Sequence, residues 1–171
     1  MKRILITGMS GTGKSTLISE LSARGYNAVD LDTPAWSEWV EVNSVADPES
    51  PDSTVEPGRD WIWREDRVQD LLSREDSPVL FVSGCAKNMA KFYPQFDDVI
   101  LLSAPPHLIV ERLASRTTNN YGKRPDEVKR VLGLIQSIEP QLRKIAAHEI
   151  DTSRPLDQVV ANLLSLIGIR S

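Results

Sequence analysis

The amino-acid sequence predicts an α/β fold in which a doubly wound parallel sheet lies between two layers of helices. Short apolar runs typical of buried strands alternate with helical segments along the chain. These runs are continuously apolar, as expected for parallel strands covered on both faces. A glycine-rich turn joins the first strand to the first helix. At 171 residues, we expect one domain, 1–171, built around a single core.

The first half of the chain contains two strand patterns and three helix patterns. Leu17, Ile18 and Leu21 lie at helical spacing before Gly25, a residue type that commonly ends helices. Pro34 suits the first turn of a helix after the second strand. The predicted elements are strand 2–7, helix 14–24, strand 27–32, helix 33–42, loop 43–60 and helix 61–72. The loop is rich in Pro, Ser and acidic residues, so we expect 33–72 to form a cap over the site.

The second half continues the alternation of strands and helices. A polar, basic segment that contains a glycine, 116–127, is predicted to be a loop, with a short lid at 116–125. Pro140 is expected to interrupt or bend the long helix before the last strand. The predicted elements are strand 78–84, a short helix within 85–96, strand 97–105, helix 108–115, helix 126–147, strand 148–151 and helix 156–167.

Composition and charge exclude several classes of protein. The formal net charge of −4 and a pI near 5.2 argue against a general nucleic-acid binder, which carries a basic face. No stretch of about 18 apolar residues occurs, so no membrane span is predicted. The one cysteine, Cys85, cannot form an internal disulfide, and the two histidines lack metal-ligand spacing. We expect a cytoplasmic protein, a monomer or simple homodimer, without nucleic-acid or membrane partners.

The segment GMSGTGKST, residues 8–16, follows the first strand and opens the first helix. It matches the pattern Gly, four residues, Gly-Lys-Ser, in which backbone amides form a nest for phosphate oxygens. Lys14 would contact the β- and γ-phosphates, and the Ser15 hydroxyl would bind magnesium. We therefore expect the chain to bind ATP with Mg²⁺. The predicted nucleotide-binding residues are Gly8, Met9, Ser10, Gly11, Thr12, Gly13, Lys14, Ser15, Thr16, Arg112 and Arg116.

Acidic residues follow the second predicted strand rather than the third. GTPases and motor-like ATPases place a magnesium-binding acid at the end of a later apolar strand, where this chain has Ser83 and Gly84. With Asp30 and Asp32 near the end of its second strand, the chain resembles the nucleoside and nucleotide kinase group of P-loop proteins, and within that group the shikimate kinases. The resemblance implies that Asp30 lies near magnesium with Ser15 and that Asp32 contacts an acceptor hydroxyl.

Further motifs extend the resemblance to shikimate kinases over nearly the whole chain. In EPGRDWIWRED, 56–66, an aromatic residue precedes Arg64, which implies that Arg64 binds an anionic part of the acceptor. Gly84 corresponds to part of a glycine run after the third strand, and Arg124 precedes a proline in the lid. The resemblance therefore implies that Arg64, Gly84 and Arg124 bind the substrate. The chain departs from the family at Ile138, where shikimate kinases carry an Arg that helps to hold the substrate carboxylate.

Four tryptophans flank the acidic loop of the cap. Trp36 and Trp63 lie close in sequence to predicted acceptor-binding residues, and we expect them to contact the substrate, for example by stacking on a nucleobase. Trp39 and Trp61 are expected to pack the cap helices together instead.

Arginine side chains are expected to form a cationic lid. Arg112 and Arg116 share one face of a predicted helix, and Arg116 with Arg124 brackets the lid loop. Positive charge that closes over a transferred phosphoryl group stabilises its equatorial oxygens and excludes water. The predicted catalytic residues are accordingly Lys14, Asp32, Arg116 and Arg124.

Three functions are compatible with these motifs. The preferred one is an ATP-dependent kinase that transfers the γ-phosphoryl group to a small-molecule acceptor, as the resemblance to shikimate kinases implies. The second is a nucleoside monophosphate kinase, because REDRVQDLL, 64–72, and FVSGC, 81–85, are similar to runs in the nuclear adenylate kinase isoenzyme family. The third is a regulatory or assembly module that binds a nucleotide and hydrolyses ATP slowly.

Overall fold

The computed structural model describes residues 1–41, 59–116 and 123–169. Strands and helices alternate over most of this part of the chain. In chain order the elements are β1 (Lys2–Thr7), α1 (Lys14–Ala23), β2 (Asn27–Asp30), β3 (Ser37–Glu41), β4 (Arg59–Trp63), α2 (Glu65–Leu72), β5 (Val79–Ser83), a 3₁₀ segment (Met89–Gln95), β6 (Asp98–Ser103), α3 (Pro106–Ser115), α4 (Pro125–Ser137), α5 (Glu139–Ile145), β7 (His148–Asp151) and α6 (Leu156–Leu166).

Five of the described strands form one parallel sheet in the order β2-β5-β1-β6-β7. Alternate residues of β1 face opposite sides: Ile4 and Ile6 pack with α1 and α6, whereas Leu5 packs with α2, the 3₁₀ segment and α5. Both faces are covered, so the strands are continuously apolar rather than alternating. The predicted doubly wound parallel sheet is confirmed.

The predicted helix over 33–42 is wrong. Residues Ser37–Glu41 form β3, which pairs antiparallel with β4 in a separate two-stranded sheet. The predicted helix over 61–72 is also wrong in its first part, because 61–63 belong to β4 and α2 begins at Glu65. Aromatic residues in both strands favour this pairing: Trp39 lies opposite Trp61, with ring centroids 5.0 Å apart. Of the predicted loop 43–60, residues 43–58 lie outside the described part.

The predicted long helix over 126–147 is two helices, α4 and α5, with the break at Ile138. Pro140 lies in the first turn of α5, where its missing N–H costs no helical hydrogen bond. The expected interruption near this proline is confirmed. Residues 117–122 of the predicted lid lie outside the described part. None of the described helices has both the length and the apolar character needed to cross a membrane.

Candidate active site

A cleft of about 1030 Å³ lies at the carboxyl ends of the parallel strands. Ligands of open α/β sheets bind at this edge, because the loops that follow the strands meet there. One part of the cleft is formed by the loop between β1 and α1, residues 8–13, which we call the phosphate loop. The other is formed by the β3–β4 sheet, the segment after β5 and the α4–α5 pair.

The phosphate loop turns its backbone toward the cleft. Gly11 and Gly13 have φ values of 82° and 97°, in the left-handed region that favours glycine. Gly13 is the N-cap of α1, and because glycine has no side chain, no capping group occupies the first amides of the helix. Because the first amides of a helix have no partner within it, the N-terminal turn of α1 presents donors to an anion.

Lys14 places its ammonium group over this loop. Its Nζ donates hydrogen bonds to the carbonyl oxygens of Gly8, at 2.7 Å, and Met9, at 3.1 Å. Except for Thr12, each of the residues 8–16 lines the cleft. The Thr12 side chain is fully buried and donates to the Met9 carbonyl oxygen, so it closes the turn from inside. A positive charge beside free helix amides is the donor set that a nucleotide's phosphates require.

Ser15 and Asp30 form a pair of oxygen ligands at the start of α1 and the end of β2. Ser15 Oγ donates to Asp30 Oδ2 at 2.7 Å, and the backbone N–H of Asp32 donates to Asp30 Oδ1 at 2.9 Å. A hydroxyl and a carboxylate are hard ligands that suit Mg²⁺, which usually takes only one or two protein carboxylates and completes its shell with phosphates and water. Within 1–41, 59–116 and 123–169, no cluster of three or more His, Cys, Asp or Glu residues could hold a metal ion by itself. The pair therefore fits magnesium that arrives with a nucleotide.

Asp32 presents a carboxylate to the same cleft. The backbone N–H of Cys85 donates to its two oxygens at 3.3 and 3.4 Å, and the Trp61 side chain donates a further hydrogen bond. Burial raises the pKa of Asp32 from 3.8 to about 6, although the nearby Lys14 ammonium lowers it. Asp32 is therefore ionised above about pH 6, while its position beside Lys14 puts it next to the phosphate end of the cleft.

Arg112 connects the phosphate loop to the end of β7. Its guanidinium donates to the carbonyl oxygen of Gly11 at 3.3 Å, to Thr152 Oγ1 at 2.9 Å and to the Thr152 carbonyl oxygen. Burial lowers the pKa of Arg112, and Asp151 opposes this effect. Arg116, at the end of α3, also lines the cleft. Both predicted nucleotide-binding arginines are thus at the phosphate loop end.

Sequence reasoning did not name the residues after β7 that line this end of the cleft, which are Thr152, Arg154 and Leu156. Thr152 Oγ1 donates to the Thr12 carbonyl oxygen at 2.7 Å and thereby joins β7 to the phosphate loop. A signal was present, because the segment TSR, 152–154, is a polar turn directly after a strand of the parallel sheet. Such turns lie at the ligand-binding edge.

The tryptophans lie in the opposite arrangement to the one predicted. Trp39 and Trp61 line the cleft, whereas Trp63 is 0% exposed and packs against Phe92, and Trp36 packs on the same core. The pairing register of β3 with β4 explains why different tryptophans reach the cleft from those predicted. Trp39, Trp61 and Trp63 lie on one face of the β3–β4 sheet, and this face runs from the core at Trp63 out to the cleft.

Arg64, Gly84 and Arg124 are not among the residues that line the cleft. The Arg64 guanidinium donates to Glu38 at 2.8 Å and to the Pro34 carbonyl oxygen at 3.2 Å, so it braces the cap. Arg124 is exposed and pairs with Asp126 at 2.9 Å, at the start of α4. In this structure the guanidiniums of Arg64 and Arg124 thus bond to neighbouring residues outside the cleft lining.

Gly84 leaves room for two neighbouring side chains. A Cβ atom at this position would lie 3.0 Å from Trp63 Nε1 and 3.2 Å from Asp32 Oδ1. Both distances are tighter than ordinary packing. Gly84 therefore allows Trp63 and Asp32 to approach the β5 end closely, which is a packing role rather than a contact in the cleft lining.

Beyond Asp32 the cleft is lined mainly by apolar side chains and one ion pair. Lys87 Nζ lies 3.0 Å from Asp60 Oδ2, and Asp60 is 6% exposed. The apolar lining residues include Met89 and Tyr93 from the 3₁₀ segment and, from the α4–α5 pair, Leu134, Ile138, Leu142 and Ile145. Ile138, the departure from the shikimate kinase pattern, thus lies in the cleft wall. We call this region, from Asp32 to the α4–α5 pair, the acceptor end.

The parallel sheet with its phosphate loop and capped cleft defines a P-loop kinase fold, which confirms the predicted superfamily. The chain belongs to the AAA domain family, whose sequence profile matches residues 4–133. A search of curated protein sequences found no significant match.

Solved structures with the same fold include several small-molecule kinases. A shikimate kinase from Acinetobacter baumannii in complex with shikimate has a TM-score of 0.62 and 19% identity, covering 98% of this chain and 94% of that one. A shikimate kinase from Bacteroides thetaiotaomicron has a TM-score of 0.63 and 19% identity over 98% and 99% of the two chains. A gluconokinase from Sinorhizobium meliloti 1021 has a TM-score of 0.60 and 18% identity over 98% and 91%. At these identities the likeness is one of fold.

Proposed function

We propose that this chain is an ATP-dependent phosphotransferase that transfers the γ-phosphoryl group to a hydroxyl of a small-molecule acceptor. One observation carries the proposal: Lys14 and the phosphate loop share a cleft with the Asp32 carboxylate. This arrangement can hold a phosphate donor and orient a hydroxyl beside it. The shared fold with shikimate kinase and gluconokinase structures supports the same reaction type.

Residues at the phosphate loop end would bind ATP and its magnesium ion. Backbone amides of the phosphate loop and the Lys14 ammonium bind the β- and γ-phosphates of ATP. Ser15 and Asp30 would hold Mg²⁺, which supplies charge neutralisation at the phosphates when bound. Arg112 and Arg116 add positive charge from α3 at the phosphate loop end of the cleft. Phosphoryl transfer depends chiefly on such positioning and charge stabilisation.

Asp32 orients the acceptor. Its ionised carboxylate accepts a hydrogen bond from the acceptor hydroxyl and turns the oxygen toward the γ-phosphorus. The new oxygen–phosphorus bond forms as the bond to the leaving ADP breaks, and the hydroxyl proton passes to Asp32 or to water. The N–H groups of Cys85 and Trp61 hold the carboxylate in place.

The alternative of a nucleoside monophosphate kinase gains nothing from the REDRV run, 64–68. Arg64 is paired with Glu38, Arg67 donates to the Ala35 carbonyl oxygen at 2.6 Å, and Glu65 pairs with Lys91. These polar side chains join α2 to its neighbours outside the cleft lining. The run is therefore accounted for by its packing in the cap.

A coupled assay of ADP release with Mg²⁺ and ATP tests the proposal. The acceptor panel contains shikimate, gluconate, nucleosides and nucleoside monophosphates. We expect one acceptor class to raise the rate manyfold, and we expect Lys14→Ala to abolish that rise. Lys91→Ala is the matched control, because Lys91 is an exposed lysine whose partner is Glu65 on the surface. A slow rate that no acceptor changes, and that Asp32→Asn leaves unaltered, would contradict the proposal and favour an ATPase module.

A further inference from the structure

The acceptor end of the cleft has a composition that selects its ligand, and the argument here rests on the proposed phosphotransferase function. We propose that the acceptor is an uncharged alcohol that carries a flat ring, which packs on Trp39 and Trp61 while its hydroxyl contacts Asp32. Three features carry this inference: exposed apolar surface confined to the cleft, a cleft lysine that is already paired with a carboxylate, and an apolar residue, Ile138, in the cleft wall.

Apolar surface is left uncovered where the ligand would lie. Among the described residues, the exposed large hydrophobic side chains are Trp39, at 37%, and Ile145, at 45%, and both line the cleft. The other large apolar side chains in the described part are less exposed than these two. Exposed apolar groups concentrated in one concave site are typical of a surface that binds a ligand.

The two indoles make an aromatic corner. Trp39 and Trp61 are directly opposite each other on β3 and β4, with centroids 5.0 Å apart and planes inclined at 56°. The Trp61 side chain also donates a hydrogen bond to Asp32. Because Trp61 contacts both Trp39 and Asp32, a ring that packs on the two indoles lies beside the Asp32 carboxylate, which would orient the hydroxyl of the ligand.

The lysine of the acceptor end already has a carboxylate partner. Lys87 pairs with the buried carboxylate of Asp60 at 3.0 Å. Arg64, the residue expected to bind an anionic acceptor, is paired with Glu38 instead. A charged acceptor would have to compete for one member of the Lys87–Asp60 pair, whereas a neutral acceptor leaves this pair intact.

An apolar residue stands at a cleft position where a cation would help to hold an acidic substrate. Ile138, at the position where shikimate kinases carry an Arg that helps to hold the substrate carboxylate, lies in the cleft wall. The acceptor end therefore differs in charge from a site built for a sugar acid.

Matched pairs of acceptors test the inference. Each pair keeps a ring and changes the charge, for example a nucleoside with its 5′-monophosphate, or a phenyl glucoside with phenyl glucuronide. We expect the neutral member to have a kcat/KM at least about tenfold higher. Trp39→Leu should raise the KM of the neutral acceptor roughly 5- to 100-fold, the range found for ring stacking on aromatic side chains, with little change in kcat. Trp36→Phe is the control, because Trp36 is a tryptophan outside the cleft lining.

Binding provides a readout that does not depend on turnover. In the presence of a non-hydrolysable ATP analogue, neutral ring-bearing alcohols should quench tryptophan fluorescence in the wild type, and Trp39→Leu should need a roughly 5- to 100-fold higher concentration for half of its own quench. A preference for the anionic members, or a Trp39→Leu variant that behaves like Trp36→Phe in both assays, would overturn the inference. Failure of the proposed function gives a different result: no acceptor raises ADP release above the Lys14→Ala blank, while the fluorescence titration still decides the ligand class.

Discussion

Replacing Asp32 with Asn should stabilise the protein at neutral pH while it impairs the proposed reaction. Burial raises the pKa of Asp32 above its unfolded value, from 3.8 to about 6. The stability that this group contributes is therefore fully present below about pH 3.8 and is lost as the pH rises through about 6. Asn cannot ionise, so the variant avoids the cost of a buried charge at pH 7.5.

The magnitude follows from the difference between the two pKa values. About two pKa units correspond to about 3 kcal/mol at pH 7.5. Asp32 lines an open cleft and is partly exposed, so solvent screening reduces this figure, and we expect Asp32→Asn to raise the free energy of unfolding by about 1–2 kcal/mol. At pH 4.5 the gain should fall to roughly a third, because the folded wild type then carries a protonated Asp32.

Urea denaturation at pH 7.5 and pH 4.5 measures the effect. Asp70→Asn is the matched control, since Asp70 is an exposed carboxylate on α2 with only a surface partner, Arg74. The control should change stability by no more than about 0.5 kcal/mol at pH 7.5. An Asp32→Asn variant that is no more stable than the wild type at pH 7.5, or that gains equally at both pH values, would refute the account of Asp32.

Three further predictions concern the same site. The kcat/KM of the wild type should rise with pH through about 6, because only the ionised Asp32 makes a charge-assisted hydrogen bond to the acceptor hydroxyl and can take up its proton. Trp61→Phe removes a donor that lowers this pKa, so it should move the rise to higher pH, and an unmoved profile would count against that role. Lys14→Ala should lower kcat by about 10²–10³ with an unchanged circular dichroism spectrum, and full activity would remove Lys14 from the site. Gly84→Ala should cost about 1–3 kcal/mol in urea denaturation, because its Cβ would crowd Trp63; wild-type stability would show that the crowding is relieved.

Much of the fold could be predicted from local patterns. The continuously apolar runs of β1, β5 and β6 indicate parallel strands because helices cover both faces of the sheet. The phosphate loop is equally local: its glycines, Lys14 and Ser15 are adjacent in the chain and lie between a strand and a helix. The position of Asp30 near Ser15 follows from parallel strands that end at one edge.

The cap could not be predicted in the same way. The pairing of β3 with β4 joins residues 37–41 to 59–63, and nothing local in either segment identifies its partner. Pro34 suggested a helix start, yet the chain instead turns there and enters an extended strand stabilised by the cross-strand contact of Trp39 and Trp61. The error in secondary structure carried over to the site, because a strand pairing decides which tryptophans reach the cleft. Closeness in sequence to Asp32 and Arg64, on which the prediction for Trp36 and Trp63 rested, does not identify the tryptophans that line the cleft.

The same reasoning applies to charged residues. Arg64 and Arg124 suit anion binding by motif, but each has an acidic side chain within salt-bridge distance, Glu38 and Asp126. Which arginine is paired and which faces the cleft depends on tertiary packing. Arg112 is the contrasting case, since its partners are backbone carbonyl oxygens and a hydroxyl beside the phosphate loop.

The central claim is that this cleft transfers a phosphoryl group from ATP to an alcohol. Mass spectrometry of the acceptor after incubation with Mg²⁺, ATP and the protein tests it directly, with uncharged ring-bearing alcohols as acceptors and the Lys14→Ala protein as the blank. The account predicts a phosphorylated acceptor formed in equal amount to ADP by the wild type and not by the variant. ADP that accumulates without any phosphorylated acceptor, at the same rate with and without each alcohol, would contradict it.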